Sequence, residues 1–231
     1  MKIAVINKNS GSALSGEARH FLPKLLTGLL EKDNEIHLIA DALPEEETFR
    51  ARSEADENLH INLWNAGALA RETGVPLLVR QLGEFKPDVY LIWDSEETGW
   101  AVLPLLPPEI ATLAVGHADS EIYYAPVRHY RSFLTRLIGV TPEVSVGFVL
   151  NCVVDKERVE WISYGELEGS TTETAEEELQ KVIETYLRCF EKAIADAHAA
   201  PRAAATDFPP LNASRSESPS WFSKLKAKIM N

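Results

Sequence analysis

Apolar and polar positions along this 231-residue chain fall into blocks that switch between strand length and helical period. The first block, K-I-A-V-I-N at 2–7, is a β-branched run of strand length. A loop of small and polar residues follows at 8–15, holding Gly11 and ending near Gly16. Then Ala18, Phe21, Leu22, Leu25, Leu26, Leu29 and Leu30 recur at helical spacing and predict one apolar helix face. Ser15 is the expected N-cap, and Pro23 lies near enough to the start to be tolerated. E-I-H-L-I-A at 35–40 predicts a second strand. A strand, small-residue turn, helix and strand at this spacing make a βαβ unit, and a parallel sheet follows.

The remaining blocks extend that pattern. Residues 41–58 are charge-dense and predict an exposed loop or short solvated helix. Residues 60–64 predict a strand, followed by a helix through Leu69, Leu77, Leu78 and Leu82 whose middle is broken by Gly74 and Pro76. F-K-P-D at 85–88 reads as a helix exit. V-Y-L-I-W at 89–93 is a continuous apolar run, as expected of a central parallel strand covered on both faces, with Asp94 at its carboxyl end. Residues 100–106 are apolar and short, stopped by Pro107 and Pro108. Residues 111–115 predict a strand that delivers Gly116, His117, Ala118 and Asp119, and residues 122–134 are rich in aromatics. A short strand is expected at 137–140, a short helix from 141 and an edge strand at 159–163. Between Glu173 and His198 a stripe of Leu179, Val182, Ile183, Tyr186, Leu187, Phe190, Ala193, Ile194 and Ala197 predicts a long helix, with glutamates crowding its first turns. Residues 199–219, rich in Ala, Pro and Ser, predict a disordered linker. In residues 220–231, Trp221, Phe222, Leu225 and Ile229 fall largely on one side of a short basic amphipathic end.

The expected architecture is therefore α/β: one Rossmann-like three-layer domain over residues 1–165 with a parallel sheet of about six strands. The helix at 173–198 is expected to close it, packed on its body. Composition narrows the function. Net charge is −12, which argues against nucleic acid as a partner. Residues 199–231 carry five basic and two acidic residues, net +3, so the rest carries −15. Cys152 and Cys189 show neither metal-ligand spacing nor a disulfide framework, which fits a reducing cytosol. With no apolar run of membrane-span length and no signal peptide, a cytoplasmic protein is expected.

G-S-A-L-S-G at 11–16 has the G-x4-G spacing of a phosphate-binding loop, but Glu17 and Ala18 stand where Lys and Ser or Thr are needed. Nucleotide triphosphate hydrolysis is thereby disfavoured, and no G-x-G-x-x-G points to a dinucleotide. Two readings of the loop stay open. Its amides meet an anion or sugar hydroxyls, or its glycines only permit a tight turn. In an open parallel sheet ligands bind beyond the carboxyl ends of the strands. That edge gathers the loop, Asp94 and the G-H-A-D segment. His117 is the best candidate for a catalytic or substrate-orienting group, against the plainer reading of a strand-end histidine bonded to backbone. Tyr123 and Tyr124 suit stacking on a sugar or core packing equally. No third ligand accompanies His117 and Asp119 at a telling spacing, so no metal is expected, nor any cofactor.

The start through L-L-T-G-L-L and E-I-H-L-I-A, then K-P-D-V-Y-L-I-W-D at 86–94, G-H-A-D-S-E-I-Y-Y at 116–124, V-T-P-E-V-S at 140–145 and V-E-W-I-S-Y-G at 159–165, resembles the N-terminal domain of family 4-like GT-B glycosyltransferases. In that family this domain binds the acceptor, a second domain holds the nucleotide-sugar, and catalysis occurs between them. The resemblance implies substrate contacts at Gly11, Ser12, Gly16 and His117; Asp94, Asp119 and Tyr123 join them as substrate-binding candidates from the residues alone, by their place at the strands' carboxyl edge and the stacking a tyrosine offers. It also implies a donor domain of roughly 150 residues after Gly165, with an E-x7-E motif. The chain instead passes into the 173–198 helix, which resembles the family's closing helix. Glu168–Glu176 and Glu176–Glu184 have the motif's spacing only as an acidic run gives it by chance.

Three readings follow. The chain is an acceptor-binding half, inactive alone, that works with a separate donor-domain polypeptide on a sugar or lipid-linked acceptor. Or it is a non-catalytic descendant that binds a glycan, a nucleotide-sugar or a protein. Or it is an unrelated small-molecule enzyme using His117 and Asp94. The basic end adds the expectation of weak peripheral contact with the anionic inner face of a membrane.

Overall fold

A computed structural model describes residues 1–7, 16–44, 47–53, 55–64, 71–94, 97–164 and 172–200. Among them the chain forms seven strands in one parallel sheet, ordered β3-β2-β1-β4-β5-β6-β7. The strands are β1 (Lys2–Asn7), β2 (Glu35–Ala40), β3 (Leu59–Leu63), β4 (Val89–Asp94), β5 (Ala111–Gly116), β6 (Arg136–Gly139) and β7 (Val159–Trp161). The helices are α1 (Gly16–Leu30), α2 (Glu47–Ser53), α3 (Arg71–Phe85), α4 (Glu97–Ala101), α5 (Glu121–Tyr130), α6 (Pro142–Cys152) and α7 (Thr172–Ala199). Seven strands stand where about six were expected, the short edge strand β7 completing the count.

Crossover handedness decides which helix covers which face. The chain winds outward from β1 through β2 to β3, then returns past β1 to β4 and winds the other way. Right-handed crossovers therefore place α1 and α2 on one face and α3 to α6 on the other. The packing agrees: Phe21, Leu25, Leu29 and Phe49 pack with Ile3, Val5 and Leu38, while Leu78, Leu82, Tyr124 and Phe148 pack with Ala4, Ile6, Tyr90 and Ile92. This leaves Val89, Leu91, Trp93, Leu113 and Val115 of the first face without a crossover helix. α7 covers them with Ile183, Tyr186, Phe190 and Ala193, each fully buried.

Two contacts set α7 in place. At Gly28 of α1, a Cβ would stand 2.0 Å from Ile183 Cδ1, so the two helices meet where only glycine fits. Arg136 of β6, its side chain 11% exposed, donates to Asp196 of α7 at 2.7 Å and to Glu160 of β7 at 3.1 Å.

Local sequence accounts for the element ends. Ser120 and Thr141 accept hydrogen bonds from the amides of Ile122 and Val144 and so cap α5 and α6. Lys86 ends α3 in the left-handed region, φ 54°, and Pro87 stops it there. Gly74 and Pro76 do not break α3. Both lie in its first two turns, where a proline forfeits a single intrahelical bond. Residues 97–105 form α4 and one 3-10 turn. No helix among the described residues is long and apolar enough to cross a membrane. Residues 199–219 and 220–231, read as linker and basic end, lie almost wholly outside the described residues.

Cutting Phe190 to Ala should cost about 3–5 kcal/mol, because the ring is fully buried between two layers. Urea denaturation checks this, and an unchanged midpoint would show that α7 does not hold the face closed. Val153 follows α6 at φ 55°, a conformation a β-branched residue adopts at a cost, and it is 73% exposed. Val153→Asn should therefore raise stability, by about 1 kcal/mol.

Candidate functional site at the carboxyl edge

The strand order reverses between β1 and β4, and the crevice beyond the carboxyl ends of those two strands is where an open α/β sheet takes ligands. Asn7 ends β1 and pairs with Asp94, which ends β4, after a register shift between Ile6 and Asn7 that skips Trp93. By alternation Val5 and Trp93 face α1 and α7. β5 reaches the same edge and hands on to His117.

His117 is buried, and both its ring nitrogens are engaged. Nε2 lies 2.7 Å from the carbonyl oxygen of Trp93, which can only accept, so Nε2 carries the proton. Nδ1 then accepts from the hydroxyl of Tyr164, just beyond β7. Burial pushes the ring's pKa down to about 4, partly countered by the bond to Trp93. A neutral imidazole of fixed tautomer thus links three strands. Around it Phe21, Trp93, Tyr164 and Tyr186 form an aromatic cluster, with ring centroids 4.6 Å apart for Phe21–Tyr164 and 6.4 Å for Trp93–Tyr186.

Among the described residues, four buried polar atoms here have no hydrogen-bond partner: Asn7 Oδ1, Trp93 Nε1, Tyr123 Oη and Tyr186 Oη. Buried polar groups are nearly always paired, so these atoms take partners from solvent, a ligand or the adjoining segments outside the described residues. Tyr123 of α5 stands with its ring 5.6 Å from His117. Burial first, and then the charge of Asp94, raises its phenol pKa, so it stays a neutral donor.

The structure thus brings together His117, Asp94 and Tyr123 of the residues proposed from sequence. Asp119 is drawn aside: its Oδ1 accepts from the hydroxyl of Tyr124 at 2.8 Å, and that ring packs under α6. Gly16 begins α1, whereas Gly11 and Ser12 lie outside the described residues. Asn7, Trp93, Tyr164 and Tyr186 were not singled out as site residues. A polar residue closing an apolar strand run was a usable sign for Asn7, and the position of Tyr164 just after a strand was one for it. No group of three or more His, Cys, Asp or Glu able to hold a metal occurs among the described residues.

The neutral ring makes a pH prediction. The unfolded ring takes its proton near 6.5, the folded one only near 4. Between those values the unfolded state binds one more proton, so the stability His117 supplies is full above about pH 6.5 and is lost as pH falls toward 4. The loss is roughly 3 kcal/mol over that window. His117→Gln should flatten the dependence by close to one proton, measured as urea stability at pH 4.5, 5.5 and 7; equal slopes in both proteins would refute the assignment.

No family model and no curated protein matches the sequence. Solved structures do match. A glycosyltransferase from Rickettsia africae superposes with a TM-score of 0.54 at 14% identity, over 80% of this chain and 49% of its own. The UDP-GlcNAc 2-epimerase of Methanocaldococcus jannaschii gives 0.49 at 14% identity, over 84% and 53%. Anabaena Alr3699/HepE in complex with UDP-glucose gives 0.48 at 15% identity, over 79% and 50%. The chain spans about half the length of these proteins. At such identities the likeness is one of fold, and the fold is a glycosyltransferase-like Rossmann type equivalent to about half of the Rickettsia enzyme.

Proposed function

We propose that this chain is the acceptor-binding half of a GT-B-type glycosyltransferase, related to family 4, and that it transfers no sugar without a separate donor-domain polypeptide. The observation that carries the reading is the set of unpartnered buried polar atoms at the switch point of this fold. Asn7 offers an acceptor, and Tyr123 and Trp93 offer donors. Such a mixture suits a ligand rich in hydroxyls, which donate and accept in turn. Among the described residues this group contains no Lys or Arg, and a charge of −12 over the chain weighs against a phosphate-bearing ligand there. An open half-cleft can neither align a donor with an acceptor nor exclude water, so chemistry waits on a second domain.

A specific observation favours the second reading, a non-catalytic glycan-binding module. Both nitrogens of His117 are committed, and the ring acts on a substrate only if the Tyr164 bond is exchanged. Copurification separates the two, since only the first requires a donor-domain partner.

The test uses the purified chain with a panel of methyl glycosides and nucleotide-sugars. Saturation-transfer NMR should detect glycoside binding, weakened several-fold by Tyr123→Phe or Asp94→Asn, as the loss of one hydrogen bond of about 1 kcal/mol would do. No glycosylated product should form. Turnover by the chain alone, or nucleotide-sugars bound in preference to glycosides, would sink the proposal.

A further inference from the structure

A concavity lies at the opposite, amino-terminal edge of the sheet. It has a volume of about 530 Å³ and is bounded by the end of α3, the 105–110 turn and the last turn of α7. Leu82, Leu106 and Ile110 give it an apolar floor, and Leu105, 41% exposed, stands at its rim. Gly83 of α3 also lines it, and a Cβ there would meet nothing within 4 Å. Glycine is a poor residue inside a helix, so this one keeps space open at a cost to α3.

We infer that this pocket receives the basic amphipathic segment at 220–230 of the same chain, through Trp221 and Phe222. Three observations support the assignment. The pocket is lined by Ile194 and His198, so the chain leaves α7 at the pocket's mouth. Twenty-one residues separate Ala199 from Trp221, and a flexible chain of that length reaches roughly 25 Å, ample for returning to a site beside its own start at a high effective concentration. Charge points the same way. The segment carries Lys224, Lys226 and Lys228, and the lining holds Glu109 and Asp88, the latter accepting from the Lys2 amide at 2.7 Å, against Lys86, on a body of net −15. That body would be repelled by an anionic membrane, the other surface a basic amphipathic segment suits. Docking in cis buries the aromatic pair without bringing the acidic body to such a surface.

The inference does not depend on the proposed glycan site, which lies at the other edge. It is tested in the full chain by tryptic cleavage after Lys224 and Lys226 and by hydrogen exchange over residues 103–110. Trp221→Ser with Phe222→Ser should speed both at least fivefold. Gly83→Leu, which fills the pocket from a position with open space, should speed the cleavage alike while leaving the melting temperature unlowered. Leu105→Lys, at a half-exposed rim position, serves should Gly83→Leu not fold. Cleavage equally fast in wild type and variants would overturn the inference. So would protection that grows with chain concentration, which assigns the pocket to a second copy. Protection that arises only on phosphatidylserine vesicles would overturn it too, in favour of a membrane.

Discussion

A parallel sheet has to be covered on both faces, and the handedness of crossovers does not guarantee that it will be. Here four successive crossover helices fall on one face, and only α1 and α2 on the other. The inner strands β4 and β5 are buried throughout their apolar lengths, so their uncovered side cannot face water. α7 resolves the asymmetry by crossing back over β4 and β5 beside α1. Its amphipathic stripe is long because the surface it covers runs across the sheet. Gly28 exists so that α1 admits it, and Arg136 ties its far end to β6 and β7 through buried and half-buried charges. A cation this buried is tolerated because two carboxylates and the carbonyl of Glu157 compensate it.

The site inherits that arrangement. Trp93, His117 and Tyr164 come from three strands that converge because a parallel sheet aligns all carboxyl ends on one edge. Tyr186 of α7 reaches the same cluster from above. The helix that completes the core therefore also completes the aromatic floor of the candidate site. His117 is held as a neutral, single tautomer by a carbonyl that can only accept and a phenol that donates. Its first role in this structure is to bind the strand ends together.

Much of the fold was legible because its signals are local. Runs such as V-Y-L-I-W report a strand buried on both faces, and the stripes of α1 and α7 report helices with one buried face. What escaped was set by context. Gly74 and Pro76 look like breakers, and only their place within the first two turns of α3 makes them harmless. The aromatic stretch after His117 was not read as a helix, because the Ser120 cap and a backbone tolerant of Pro126 become evident only with the turn in view. For the site, strand ends could be named from sequence, but the partners of His117 could not. Tyr164 lies 47 residues away, and nothing short of the assembled sheet puts its hydroxyl on Nδ1.

The same burial that neutralises His117 bears on the chemistry of this edge. Removing a charge from water is expensive, so a buried ring between aromatic faces stays uncharged near neutral pH. Tyr123 stays protonated for the same reason, reinforced by Asp94. The described part of the edge thus presents neutral donors and acceptors beside a carboxylate. A neutral hydroxyl can donate to Asn7 and accept from Tyr123. Hydroxyl groups, which both donate and accept, match this set of neutral atoms better than a group that only accepts.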